Sequence, residues 1–211
     1  MPLIRRGAPD TTPAAPGGPD LEGAAAALRS GSADDRWSAA RGLAAVPGAA
    51  PMLGLALATE ADERVREAIF TSLARIDGPE SLEVVLPCLR SDDANLRTGA
   101  LDALRLMCAS AASRLESLLH DPDTDVRILA CDLARDMAPD VATALLSAVI
   151  EADPEVNVCA AAVDVLAEVG GAGALPSLVR CAARFPDQPF LAFAVRVASE
   201  RIGVSADGPH G

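Results

Sequence analysis

Aromatic side chains are almost missing from this sequence. Its 211 residues include no tyrosine, one tryptophan (Trp37) and four phenylalanines. A β-sandwich or barrel draws on aromatic and β-branched residues, so their scarcity turns the reading away from β folds. Lysine is also absent, and all 18 basic residues are arginine. Against them stand 30 acidic residues, for a net charge of −12. Binding along a phosphate backbone needs clustered positive charge, so a nucleic-acid partner is not expected. No uninterrupted apolar run approaches the roughly 18 residues that cross a bilayer, so no membrane span is expected.

Further absences concern chemistry. Of the two histidines, His120 stands just before an acidic turn, where it serves the end of a helix, and His210 lies near the end of the sequence. No cluster has metal-ligand spacing. There is no G-x-S-x-G nucleophile motif and no phosphate-cradling glycine loop; GGAGALP at 170–176 reads as a helix stop and turn. Cys88, Cys108, Cys131, Cys159 and Cys181 are scattered, odd in number and without a CxxC pair. They read as small buried hydrophobes in a reducing cytoplasm. Catalytic residues, a metal, a cofactor and a small-molecule ligand are therefore not expected.

What is present is alanine, leucine and valine, within a sequence that is 50% apolar. Alanine and leucine favour helix and let helices approach closely. Residues 1–19 are rich in Pro and Gly, lack a signal-peptide core, and read as a flexible tail. Residues 20–203 read as one folded unit and 204–211 as a disordered tail.

Within the folded unit one pattern recurs. DVRILACDLARDM, from Asp125 to Met137, aligns with ERVREAIFTSLARI, ANLRTGALDALRLM, VNVCAAAVDVLAEVG and, less closely, DDRWSAARGLAAV. Arginine recurs at 36, 66, 97 and 127, and Cys159 takes its place in the fifth copy. Counting from the preceding Val or Leu as zero, apolar residues fall at +4, +8 and +11, a single stripe along a helix. An acidic residue sits three before the zero position (Asp62, Asp93, Asp123, Glu155), placed to accept the open N–H groups of the first turn. Each such B helix follows another apolar segment, the A helix. One A–B pair cannot bury its own apolar face. Stacked pairs can, which predicts an all-α solenoid of about six pairs.

The D-x-x-V-R-x-x-A-x-x-x-L-x-x-I pattern resembles HEAT-like repeats, in the short bacterial form named after phycobilisome lyases. The resemblance implies helix B on the concave side. It also implies a non-enzymatic scaffold or adaptor that binds a protein, or alternatively an assembly factor or bilin-lyase-like subunit.

Two sets of residues follow. Asp62, Arg66, Asp93, Arg97, Asp123 and Arg127 repeat, as a structural ladder would; an arginine-lined anion site is the other reading. The candidate partner-binding residues are Trp37, Arg41, Thr71, Arg75, Asp102, Arg105, Asp132, Arg135 and Asp164. Among these, Asp102, Asp132 and Asp164 would form an acidic stripe, offset by Arg105 and Arg135. The stripe reads either as a solvated, self-compensating face or as a dock for a partner's arginines or lysines. Trp37 reads as end-repeat packing, or as an anchor if exposed beside Leu106 or Ile128.

Overall fold

The computed structural model describes residues 21–206, which form twelve helices and no strand. They pair in sequence order. The first pair is α1 (Leu21–Ser30) with α2 (Ala33–Gly42), followed by α3 (Ala50–Leu57) with α4 (Glu63–Ile76). Next come α5 (Gly78–Val85) with α6 (Ala94–Leu106), and α7 (Cys108–Leu119) with α8 (Thr124–Leu133). The last are α9 (Pro139–Ala152) with α10 (Val156–Val169), and α11 (Leu175–Arg184) with α12 (Pro189–Ala206). The molecule is an α-solenoid of six helix pairs.

The repeated apolar positions build the shared core. Ile69, Leu73, Ala100, Leu104, Ala130, Ala134, Ala162 and Leu166, the +4 and +8 residues of four copies, are each fully buried. Truncating such a leucine to alanine costs about 2–5 kcal/mol. Successive even-numbered helices are in more extensive contact than successive odd-numbered ones, except at α6–α8. We call this layer of B-type helices the inner face.

The helix starts follow capping chemistry. Ser32 and Asp35 form a reciprocal capping box at α2. Asp62, Asp93 and Asp123 each occupy the N-cap of a B helix and accept backbone N–H groups, worth about 1 kcal/mol apiece. Glu155 holds the same place at α10 without a side-chain bond. Pro87, which has no N–H to give, falls where α5 passes into a 3-10 segment, Leu86–Arg90. The α6–α7 connection departs from the pattern: Met107 alone separates the two helices.

The expectation for residues 1–19 lies outside the described residues. At the other end α12 runs to Ala206, past the boundary drawn at 203, and 207–211 lie outside the described residues. No helix among the described residues is long and apolar enough to cross a membrane.

Candidate functional site: the turn ladder and the inner face

The A–B turns carry a ladder whose connections differ from simple i,i+4 pairing. The Arg66 guanidinium does not bond its own cap, Asp62. Its Nε donates to the Glu60 carbonyl (2.7 Å) and its Nη1 to Asp93, the cap of the next B helix (2.8 Å). Arg97 and Arg127 likewise donate to the carbonyl six residues back, Ser91 (2.6 Å) and Asp121 (2.9 Å). The forward partner is most often an acid two residues before the next cap. Arg36 pairs with Glu60 through Nε and Oε2 (2.7 Å), Arg127 with Asp153 through Nε and Oδ2 (2.7 Å), and Arg90 takes Asp121.

These acids are buried, and each also accepts a backbone N–H of its own turn: Asp62 to Glu60, Asp123 to Asp121, and Glu155 to Asp153. In the third repeat Ser91 stands at that position, accepting the Asp93 N–H, so Arg66 reaches Asp93 instead. Each acid therefore both shapes its turn and ties it to the preceding repeat. The Arg36 hydrogen bond holds the Glu60 carboxyl below the usual glutamate range, and the Asn95 N–H with Arg66 does the same for Asp93.

The fifth repeat shows what happens when the arginine is lost. Cys159 occupies its position and sends its sulfur toward the same carbonyl, Asp153 O, at 3.5 Å. A guanidinium arrives from elsewhere. Arg184, at the end of α11, donates to the Asp153 carbonyl (2.7 Å) and to the Ile150 carbonyl (2.6 Å). The sequence offered no motif for Arg184, which belongs to an A helix.

The acidic stripe on the inner face is knitted together. Arg105 bonds Asp102 (3.3 Å) and Asp132, and lies 3.7 Å from Asp136. Arg135 bonds Asp132 (3.2 Å) and Glu168, and lies 3.6 Å from Asp164. The Arg135 bond holds the Glu168 carboxyl low. Arg105 thereby spans α6–α8, where helix packing thins.

The N-terminal part of the inner face is open. A groove of about 290 Å³ between α2 and α4 is lined by Trp37, Arg41, Arg64, Glu67, Thr71 and Arg75. Trp37 is half-buried, and the Arg41 guanidinium lies over its ring, 4.8 Å from the centroid. A second groove, of about 380 Å³, lies between α4 and α6 and shares Glu67 and Thr71 with the first. Phe70 floors it and Leu106, 70% exposed, forms one wall. Gly99 is required there, because a Cβ would stand 2.6 Å from the Phe70 ring. Ile128 is half-buried against the core, away from these grooves.

Other polar and sulfur groups have local roles. His120 Nδ1 lies 2.8 Å from the Glu116 carbonyl at the end of α7. The five cysteines are free; Cys131, Cys159 and Cys181 are buried, but Cys88 is half-buried and Cys108, at the start of α7, is exposed, against the expectation, and burial pushes the Cys131 thiol up to about 12. Among the described residues no group of three or more His, Cys, Asp or Glu side chains is placed to hold a metal.

Stacked helix pairs with a capped, arginine-tied turn define an α-solenoid protein of the HEAT or armadillo class. A family model described as HEAT repeats matches residues 21–105 and again 111–197, and the chain belongs to that family. Among curated proteins none matches the sequence. Solved structures similar to it include an engineered protein (TM-score 0.43, 20% identity, 88% of this chain and 97% of that one). A designed armadillo repeat protein is similar at TM-score 0.42 and 18% identity, over 87% of this chain and 100% of that one. The complex of CpcE and CpcF of phycocyanin lyase from Nostoc sp. PCC7120 is similar at TM-score 0.39 and 17% identity, over 95% of this chain and 100% of that one.

Proposed function

We propose that this protein is a non-enzymatic scaffold that binds a protein partner on the inner face of its B helices. One observation carries the reading. The repeated residues are consumed in holding the turns together, whereas the open grooves from Trp37 to Leu106 are lined largely by residues that do not repeat. A surface that varies from repeat to repeat over a constant frame is what selective binding requires. We place it in a reducing compartment such as the cytoplasm, in keeping with five free thiols.

The test is site-specific photocrosslinking in the native host. A benzoylphenylalanine at Thr71, on the wall shared by both grooves, should trap a discrete protein partner. The same group at the exposed Arg114 of α7, on the opposite layer, should not. Equal yields at both positions, or none at Thr71, refute the assignment.

A further inference from the structure

The inner face changes sign along its length, and the spare charge is not where the acidic stripe would put it. From α6 to α10 the carboxylates are engaged by Arg105 and Arg135. The groove between α2 and α4 carries three guanidiniums, Arg41, Arg64 and Arg75, against one carboxylate, Glu67, so its lining is net positive within a protein of net charge −12. Among the described residues neither Arg75 nor Arg41 has an ion pair, and the Arg41 guanidinium lies over the Trp37 ring. Arg64 meets Asp34 at 3.4 Å, with both side chains well exposed, an arrangement worth little. Among the described residues Arg41 and Arg75 are thus claimed by no acid, and Arg64 only by an exposed one.

The adjoining groove has the opposite character. Its floor is apolar, with Phe70 lying on Gly99 and Ala103 beside it, and Leu106 stands exposed at its edge. Its rim carries Glu63, Glu67 and Asp102, against Arg66, which is already paired with Asp93.

Resting on the scaffold reading above, we propose that these two grooves together bind an extended acidic peptide segment. A carboxylate sits among Arg41, Arg64 and Arg75, and an aliphatic side chain sits on Phe70 and Leu106. Neighbouring helices lie about 8–10 Å apart, and extended chain advances about 3.3 Å per residue. The carboxylate and the aliphatic residue are therefore two or three positions apart. Thr71, on the shared wall, offers a hydroxyl to the peptide backbone between them. A nucleic-acid strand fits less well, because its repeating phosphates would run from the arginines directly onto Glu67, Glu63 and Asp102.

The experiment titrates the full chain with four probes, reading Trp37 fluorescence and amide chemical shifts. The first peptide is acetyl-Ser-Glu-Asp-Ser-Leu-Ser-amide. The second carries Lys-Lys for Glu-Asp, and the third Ala for Leu. The fourth probe is a short oligodeoxycytidylate. The acidic peptide should change the Trp37 emission and shift resonances lining both grooves. Replacing its Leu by Ala should weaken binding about tenfold. Arg41→Ala and Arg75→Ala should each weaken it roughly threefold to fivefold, and the Arg41→Glu, Arg75→Glu double variant should abolish it. Arg114→Glu serves as the charge control and should bind as the parent does. Both inner-face arginines are exposed, so an unchanged melting curve establishes that the double variant is folded.

Tighter binding of the lysine peptide or the oligonucleotide, acidic binding that survives the double reversal, or no binding of the acidic peptide each overturns the proposal. If Thr71 still captures a protein partner in the double variant, the scaffold reading stands and only the acidic specificity falls.

Discussion

Removing the Arg127 guanidinium should be far more damaging than removing that of Arg66, although the two occupy equivalent positions. The Arg127 and Asp153 side chains are 11% and 7% exposed, and the pair is joined at 2.7 and 3.3 Å. Arg66 and Asp93 are 20% and 39% exposed. Arg127→Met leaves the Asp153 carboxylate buried, with the Glu155 N–H as its remaining donor, and deprives the Asp121 carbonyl of its partner. Breaking a buried pair from one side costs about 3–5 kcal/mol, and the retained N–H argues for the lower end, about 3 kcal/mol. Arg66→Met also frees a carbonyl, that of Glu60, but leaves Asp93 in contact with water and still accepting the Asn95 N–H, so about 1 kcal/mol is expected.

Urea and thermal unfolding measure the difference. For a chain of this size the Arg127 change lowers Tm by about 6–12 °C and the Arg66 change by about 2–4 °C. Solenoids open repeat by repeat, so hydrogen exchange at α8 and α10 should report the Arg127 loss locally. Adding Asp153→Asn to Arg127→Met removes the stranded charge and keeps an oxygen for the Glu155 N–H, and it should recover a large part of the loss. Equal effects at 66 and 127, or a further loss on adding the Asp153→Asn change, would refute the reasoning that burial of the acid sets the energy.

Two further outcomes follow from the turns. Glu60, held below its usual range by Arg36, contributes stability that is complete above the unfolded glutamate value of about 4.3 and is lost as pH falls through its lower folded value. Glu60→Gln should therefore lower stability at pH 7 and flatten its decline with acid, measured by Tm between pH 7 and 3. Arg184→Ala frees the Ile150 and Asp153 carbonyls and should destabilise the fifth and sixth repeats by about 1–3 kcal/mol, visible as faster exchange in α10 and α12 while α4 is unaffected.

The pair-wise architecture was legible because the signals are local. The +4 and +8 spacing fixes a buried stripe, and an aspartate three before it fixes a helix start. The ladder's wiring was less legible because a guanidinium reaches along the stack, toward residues about 24–27 positions away. A trace of it was present: Glu60, Asp121 and Asp153 each stand two before the cap position, a pattern that marks the true forward partners. Leu106 sits beside Arg105 in the same helical turn, yet one is exposed in a groove and the other spans to α8. Only the stacking of α6 against its neighbours separates them. The spare charge near Trp37 was hidden for the same reason, since sequence counts the arginines and carboxylates without showing which ones meet.

The direction of the turn bonds has an architectural consequence. Arg36, Arg66, Arg90 and Arg127 all lean toward the C-terminus, so each of the second to fifth turns is fastened by something already synthesised. Arg184 leans backward, as does Arg180 toward Glu151, so the Asp153 turn is also secured from a helix that emerges later. Shortening the chain from its C-terminal side would leave the earlier turns fastened as before, but would leave the fifth held by Arg127 without the second latch on its carbonyls. In this array the last hairpin serves as a keystone as well as an end.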